Sequence, residues 1–183
     1  MKASKDAIDM IKRYEGCRLT AYKCPAGIWT IGYGHTLGVR SGNIITQEIA
    51  DKFLEGDIEK YETIVNAYDS KYHWTQNEFD ALVSFAFNIG NITGLTQGGT
   101  RSKQTIAEKM LLYNKAKGTT LPGLIRRRKD EHDLFLSADP LAQVVQDVIA
   151  GKYGNGKART SALKKAGYDP KVIQAKVNAI IKK

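Results

Sequence analysis

Cysteine is scarce: Cys17 and Cys24 are the only two in 183 residues. Two thiols cannot form a disulfide framework, and reduced cysteines fit a reducing compartment. A Cys17–Cys24 bridge is an alternative; the simpler reading makes Cys17 a small buried hydrophobe. Long apolar runs are also missing. None approaches the ~20 residues of a membrane-spanning helix, which argues against stable membrane insertion. The N-terminus, MKASKDAIDMIKRYEG, has no apolar leader core, because Lys5, Asp6 and Asp9 interrupt it. Acids are short at the other end. From Pro140 to Lys183 there are nine Lys and Arg but only Asp147 and Asp169, so this stretch holds +7 of the formal +9. A basic tail on a near-neutral body implies an anionic partner: nucleic acid, a membrane surface or an anionic bacterial wall.

The remaining composition, 42% hydrophobic and 26% charged, is that of an ordinary folded chain large enough for a proper core. Ser4 reads as the N-cap of a first helix with Ile8 and Ile11 on one face, stopped by Gly16. Residues 18–35 change to period two. Leu19, Ala21, Trp29, Ile31 and Tyr33 alternate with small or polar residues around the turn signal Pro25-Ala26-Gly27, which predicts a small antiparallel sheet. Gly32, Gly34 and Gly38 suggest close backbone approach. A helix, polar over much of its surface, runs from Thr46 to about Tyr68 and is placed to link two lobes. Thr75 and Glu78 form a capping box ahead of Phe79, Leu82, Val83, Ala86 and Ile89 at helical spacing. Ser102 opens a helix with Ile106, Met110 and Tyr113 on one face, and Pro122 opens another carrying Leu124, Ile125 and Phe135. The break Ser137-Ala138-Asp139-Pro140 divides the chain into domains 1–138 and 139–183. Three short helices, about Leu141–Ile149, Lys157–Ala166 and Lys171–Ile181, make up the second.

The stretch EGCRLTAYKCPAGIWTIGYGHT, residues 15–36, carries the candidate chemistry. Glu15 sits where a helix ends, and the negative pole there disfavours a charged carboxylate, as a proton donor at neutral pH requires. Cys24 comes after eight intervening residues and Thr30 after five more. Hydrolysis of a glycosidic bond needs an acid for the leaving oxygen and, in an inverting enzyme, a group holding water on the opposite sugar face. A helix end joined to a hairpin can supply both sides of such a cleft. A thiol is mostly protonated at neutral pH, and near a negative site it would become less acidic still. Thr30 could bond the same water. His35 with the two cysteines fits no common zinc spacing, and no metal or cofactor is expected. His35 reads as a buried, hydrogen-bonded residue, His73 and His132 as surface. Arg126-Arg127-Arg128-Lys129 reads as a solvated, salt-bridged face from which one arginine could line a substrate cleft.

The Glu15-x8-Cys24-x5-Thr30 spacing, with Gly32-Tyr33-Gly34-His35 just beyond it, resembles the active-site signature of the phage-type lysozymes, or endolysins, whose pattern is Glu, eight residues, Asp or Cys, five residues, Thr. Gln76-x-Glu78-x-Asp80-Ala81-Leu82-x-Ser84-Phe85-x-Phe87-Asn88-x-Gly90 and Leu121-Pro122-Gly123-Leu124-Ile125-Arg126-Arg127-Arg128 are similar to that family's later helices. The resemblance spans about Ser4 to Leu136. It implies an α+β, mostly α, two-lobed phage-lysozyme fold with a small antiparallel sheet in the first lobe. It also implies hydrolysis of peptidoglycan between N-acetylmuramic acid and N-acetylglucosamine. Carried over, Glu15 is the general acid, Cys24 serves the water and Thr30 assists, with His35 and Asn88 as substrate-binding candidates. Residues 148–178 resemble the cell-wall-binding repeat of certain phage lysins of Gram-positive hosts. This adds a C-terminal three-helix module in which Asn155, Arg159 and Tyr168 are candidates for reading muropeptide, against a plainer role in turns and core.

Together these resemblances imply a monomeric hydrolase of bacterial peptidoglycan, made in the host cytoplasm without a signal peptide and released onto the wall. A lytic transglycosylase, a decayed wall-binding protein and a nucleic-acid binder are the rivals. The tail does not interleave aromatics as base-stacking surfaces do, which disfavours the last.

Overall fold

The computed structural model describes residues 1–137 and 141–181. It falls into two compact units, Met1–Ser137 and Ala138–Lys183. The expected break at Ala138-Asp139-Pro140 lies outside the described residues.

The first unit opens with α1 (Lys5–Glu15), which the Ser4 hydroxyl caps by accepting from the Asp6 amide. The helix ends because Gly16 turns to φ +66°, a left-handed conformation that costs glycine little. Strands β1 (Arg18–Lys23) and β2 (Trp29–Gly32) pair antiparallel, Tyr22 opposite Thr30 and Lys23 opposite Trp29, with a register irregularity nearer Arg18. Of the three glycines read as close approaches by a ligand or by other chain, Gly32 has other chain beside it: a Cβ there would lie 3.4 Å from the Ala50 Cβ. Gly34 and Gly38 have open space and serve turns at positive φ.

Helix α2 (Gln47–Asn66) is 20 residues long, about 30 Å. It touches β2 and, further along, the second-lobe helix α4 (Gln76–Ile89), burying Ala50, Leu54, Ile58 and Val65 while its other face stays in solvent. The short α3 (Asp69–Tyr72) lies between them. The Thr75–Glu78 capping box is formed, and Phe79, Leu82, Val83, Phe85 and Ala86 are all fully buried. Deleting most of one such side chain costs about 2–5 kcal/mol. Ile89, expected inside, is exposed at the last turn, and so is Ile125. The unit continues through α5 (Thr93–Thr96), α6 (Lys103–Met110), and a two-residue hairpin of β3 (Lys115–Ala116) and β4 (Thr119–Thr120). It closes with α7 (Pro122–Leu136), which packs on α4 and α6. The hairpin was not expected from sequence. Its turn, Lys117-Gly118, holds both residues at positive φ, the geometry of tight hairpins.

The second unit is α8 (Ala142–Ile149), α9 (Gly156–Lys165) and α10 (Pro170–Ile181), each within a residue or two of expectation. Val144, Val145, Val148, Leu163, Ile173 and Val177 form its own core, with Tyr153 and Tyr168 packed at the edge.

Candidate active site

Glu15 is the last residue of α1, and its side chain is about a quarter exposed. Its Oε1 accepts from Arg127 Nη1 of α7 at 2.6 Å. Sequence alone offered only the helix end at Glu15, whereas the structure adds a cation against the carboxyl. Arg127 is not on a solvated face: it is 3% exposed and its neighbour Arg128 is fully buried, while Arg126 and Lys129 do face solvent. The reason is Glu131, buried one turn further along the same helix. Its Oε1 accepts from Arg127 Nε at 3.1 Å, from the Ser84 hydroxyl at 2.8 Å and from Arg128 Nη2 at 3.2 Å. The Arg127 fork is completed by Nη2, which donates to the Ser84 carbonyl.

Arg128 Nη2 also donates to Asn88 Oδ1 at 3.0 Å. Its Nε lies 2.9 Å from Glu131 Oε2 but out of line for a hydrogen bond, so the two attract as charges while neither atom is satisfied. The guanidinium lies over the Phe85 ring, 4.7 Å from its centre, which returns part of that cost. Burial pushes Arg128 down to about 10 and Glu131 upward. Three donors converging on one oxygen nevertheless fit an ionised Glu131 at neutral pH. Tyr14 carries Arg127 over its ring and donates to Asp130; burial, then that hydrogen bond, pushes its hydroxyl up to about 12.

Tyr14, Glu15, Asn88, Arg127 and the 121–124 segment line one concavity of about 440 Å³. An acid in a recess with apolar and amide walls is where a sugar leaving group can be held and protonated.

Cys24 and Thr30 form a second group, at the far end of the β1–β2 hairpin. The Cys24 backbone closes the turn, its amide donating to the Ile28 carbonyl and its carbonyl accepting from Gly27. The Cys24 residue is half-buried. No acid is among the main groups acting on this thiol, so the rise expected beside a negative site does not arise: backbone amides of Ile28 and Ala26 lower its pKa, and the Thr30 hydroxyl adds to them. Thr30 is buried, and its hydroxyl donates to the Ile28 carbonyl 3.0 Å away. Its first partners are thus protein atoms rather than bulk water. Cys17, expected to be buried, is exposed and free in the link between Gly16 and β1.

His35 is engaged at both ring nitrogens, with Asp57 Oδ2 at 2.9 Å and the Leu37 carbonyl at 3.0 Å, and it stacks on Phe53. The structure places it as a clamp between the loop after β2 and α2. Asn88 is exposed on the concavity with Glu15. In the second unit Arg159 donates to Asn155 Oδ1 at 2.8 Å, to Gln174 Oε1 at 3.2 Å and to the Gly154 carbonyl. Asn155 and Arg159 are thereby brought together on one face. Tyr168 is half-buried against the apolar core of this unit.

Residues 12–131 match the phage lysozyme family model. This chain belongs to the phage lysozyme family. Residues 142–181 match the CW_7 repeat. The lysozyme is 43% identical over 148 residues to an endolysin of Acyrthosiphon pisum secondary endosymbiont phage 1, covering 75% of this chain and all of that one. It is 46% identical over 138 residues to an endolysin of Lactococcus phage c2, a match that takes in 74% of this chain and 60% of that one. Among solved structures it is similar to the muramidase domain of SpmX from Asticaccaulis excentricus. That match has a TM-score of 0.64 and 38% identity, covering 75% of this chain and 99% of the other. Coverage of about three quarters fits the first unit. Among the described residues no helix is long and apolar enough to cross a membrane.

Sequence reasoning missed Glu131 and the burial of Arg127 and Arg128. A signal was available: Ser84 and Asn88 are polar positions in the otherwise apolar stretch 81–89 of α4, and Glu131 lies three and four residues from the two arginines.

Proposed function

We propose that this lysozyme is an endolysin-type muramidase whose first unit cleaves the β-1,4 bond between N-acetylmuramic acid and N-acetylglucosamine, and whose second unit holds the enzyme to the wall. The observation that carries the catalytic reading is Glu15 itself. It is a carboxyl at a helix end, open to a sugar-sized recess and anchored on one oxygen by Arg127. The other oxygen is the one to carry the proton.

Glu15 protonates the departing glycosidic oxygen as the anomeric C–O bond breaks. Cys24, made more acidic by the turn amides and Thr30, takes the proton of a water whose oxygen bonds the anomeric carbon. Thr30 fixes the thiol rather than acting alone. Asn88 offers its amide to the sugar, and His35 supports the loop. Asn155 and Arg159 present an amide and a cation suited to the amides and carboxylates of muropeptide, and the basic tail favours an anionic polymer. The enzyme works as a monomer on peptidoglycan, without nucleic acid, after release from the host cytoplasm.

Digestion of purified peptidoglycan with mass spectrometry of the soluble fragments tests this. Reducing-end muramic acid from the wild type and none from Glu15→Gln is the expected result. Anhydro-muramic products would make it a lytic transglycosylase. Wall binding without fragments would make it a binding protein.

A further inference from the structure

Glu131 is fully buried, so it cannot touch a substrate, yet one of its oxygens collects three donors from two helices. Arg127 stands between two carboxyls. Its Nε faces Glu131 Oε1 at 3.1 Å, and its Nη1 faces Glu15 Oε1 at 2.6 Å. A guanidinium is planar, so fixing Nε and Nη2 from the core fixes where Nη1 points. One positive charge is also divided between two negative partners. We propose that Glu131 is a positioning residue for the proton donor: it holds the Arg127 guanidinium at Glu15 and draws part of its charge away from that carboxyl.

Without Glu131 no anion would offset the Arg127 cation at Glu15, which would stabilise the ionised form and leave less of the carboxyl protonated to donate. The surrounding charges are few and placed. From α7 come Arg127, Arg128 and Asp130, the last occupied by Arg13 and Tyr14 of α1. From α4 come only neutral groups, Ser84 and Asn88. Glu131 is therefore the one anion in contact with Arg127 besides Glu15, among the described residues.

This inference rests on the reading of Glu15 as general acid, and the experiment separates the two. Rate against pH at saturating peptidoglycan, with melting temperature, is measured for wild type, Glu15→Gln, Glu131→Gln, Glu131→Asp and Ser84→Ala. In Glu131→Gln the amide oxygen can still accept from Arg127 Nε, but the charge is gone. The limb of the profile governed by Glu15 is expected to move to lower pH by about one unit, with about tenfold less activity at the wild-type optimum. Glu131→Asp keeps the charge and pulls it back by a methylene; the same limb should move less, and most of the rate should return. Ser84→Ala removes one donor without removing charge; it should lower the melting temperature and leave the limb in place.

A Glu131→Gln enzyme that loses stability with an unmoved limb would overturn the proposal, as would an equal shift in Ser84→Ala. The new amide nitrogen would sit beside Arg128 Nε, so Glu131→Gln could fail to fold. Then Glu131→Asp against Ser84→Ala decides: a shift in the first alone supports the proposal, and no shift in either overturns it. Retained hydrolysis in Glu15→Gln would remove the general-acid reading whatever the Glu131 variants do.

Discussion

The two groups proposed for the catalytic site are built from different materials. Glu15 is held by a charge network that runs into the interior, through Arg127 and Glu131 to Arg128. Cys24 and Thr30 are held by the amides and carbonyl of a short turn at a hairpin tip. An acid that must donate on demand gains from partners that cannot relax, and the core supplies them. A group that handles water needs access to water, and backbone amides can tune its acidity without burying it. Damage should therefore spread differently: the partners behind Glu15 should affect stability as well as rate, and the groups around Cys24 mainly rate or pH dependence.

The sharpest break is Glu15→Gln, which should lower fragment release by about 10³-fold or more while the protein stays folded, read as reducing ends and by circular dichroism. Next is Arg127→Met. It strips a cation from two carboxyls, one of them fully buried, and should cost about 3–5 kcal/mol in urea unfolding. If it costs no more than Cys24→Ser, the contrast between the two sides fails.

Cys24 gives the pH test. Its thiol is more acidic than usual, so the thiolate forms below the ordinary range near about 8.5, and thiolate-dependent activity rises as pH climbs through that lowered point. Cys24→Ser should lose about 10–100-fold in rate. Cys24→Asp, ionised above about pH 4, should stay active and extend activity toward acid. Thr30→Val removes one of the groups that favour the thiolate and should return this limb toward higher pH by under about one unit. The smallest effect on chemistry belongs to the second unit. Arg159→Ala should weaken retention on whole walls about tenfold and leave turnover of soluble fragments alone, seen by co-sedimentation beside a fragment assay.

Much of this architecture was legible because local signals agreed. Ser4 and Gly16 bound α1, and the Thr75–Glu78 box opens α4. The period-two stretch places Cys24 at the turn and Thr30 on the returning strand. Spacing along the chain could thus pair Cys24 with Thr30. It could not pair Glu15 with Arg127: the Glu131 spacing hints that the arginines turn inward, but an exposed ion pair has the same spacing, and Glu15 lies 112 residues away. The burial expected of Cys17 failed for a similar reason: small and apolar by type, it lies in an exposed link between helix and strand. The β3–β4 hairpin has two residues per strand, too short to show a period.

The pairing of Glu15 with Arg127 spans 112 residues of chain. Tyr14 reaches Asp130 over 116. Within this unit the helix that carries the acid is made before the helix that anchors it, which comes last. Loop closure of that length slows folding. A nascent chain stopped before residue 127 holds Glu15 without its partner, so the proposed site is complete only once α7 has been made.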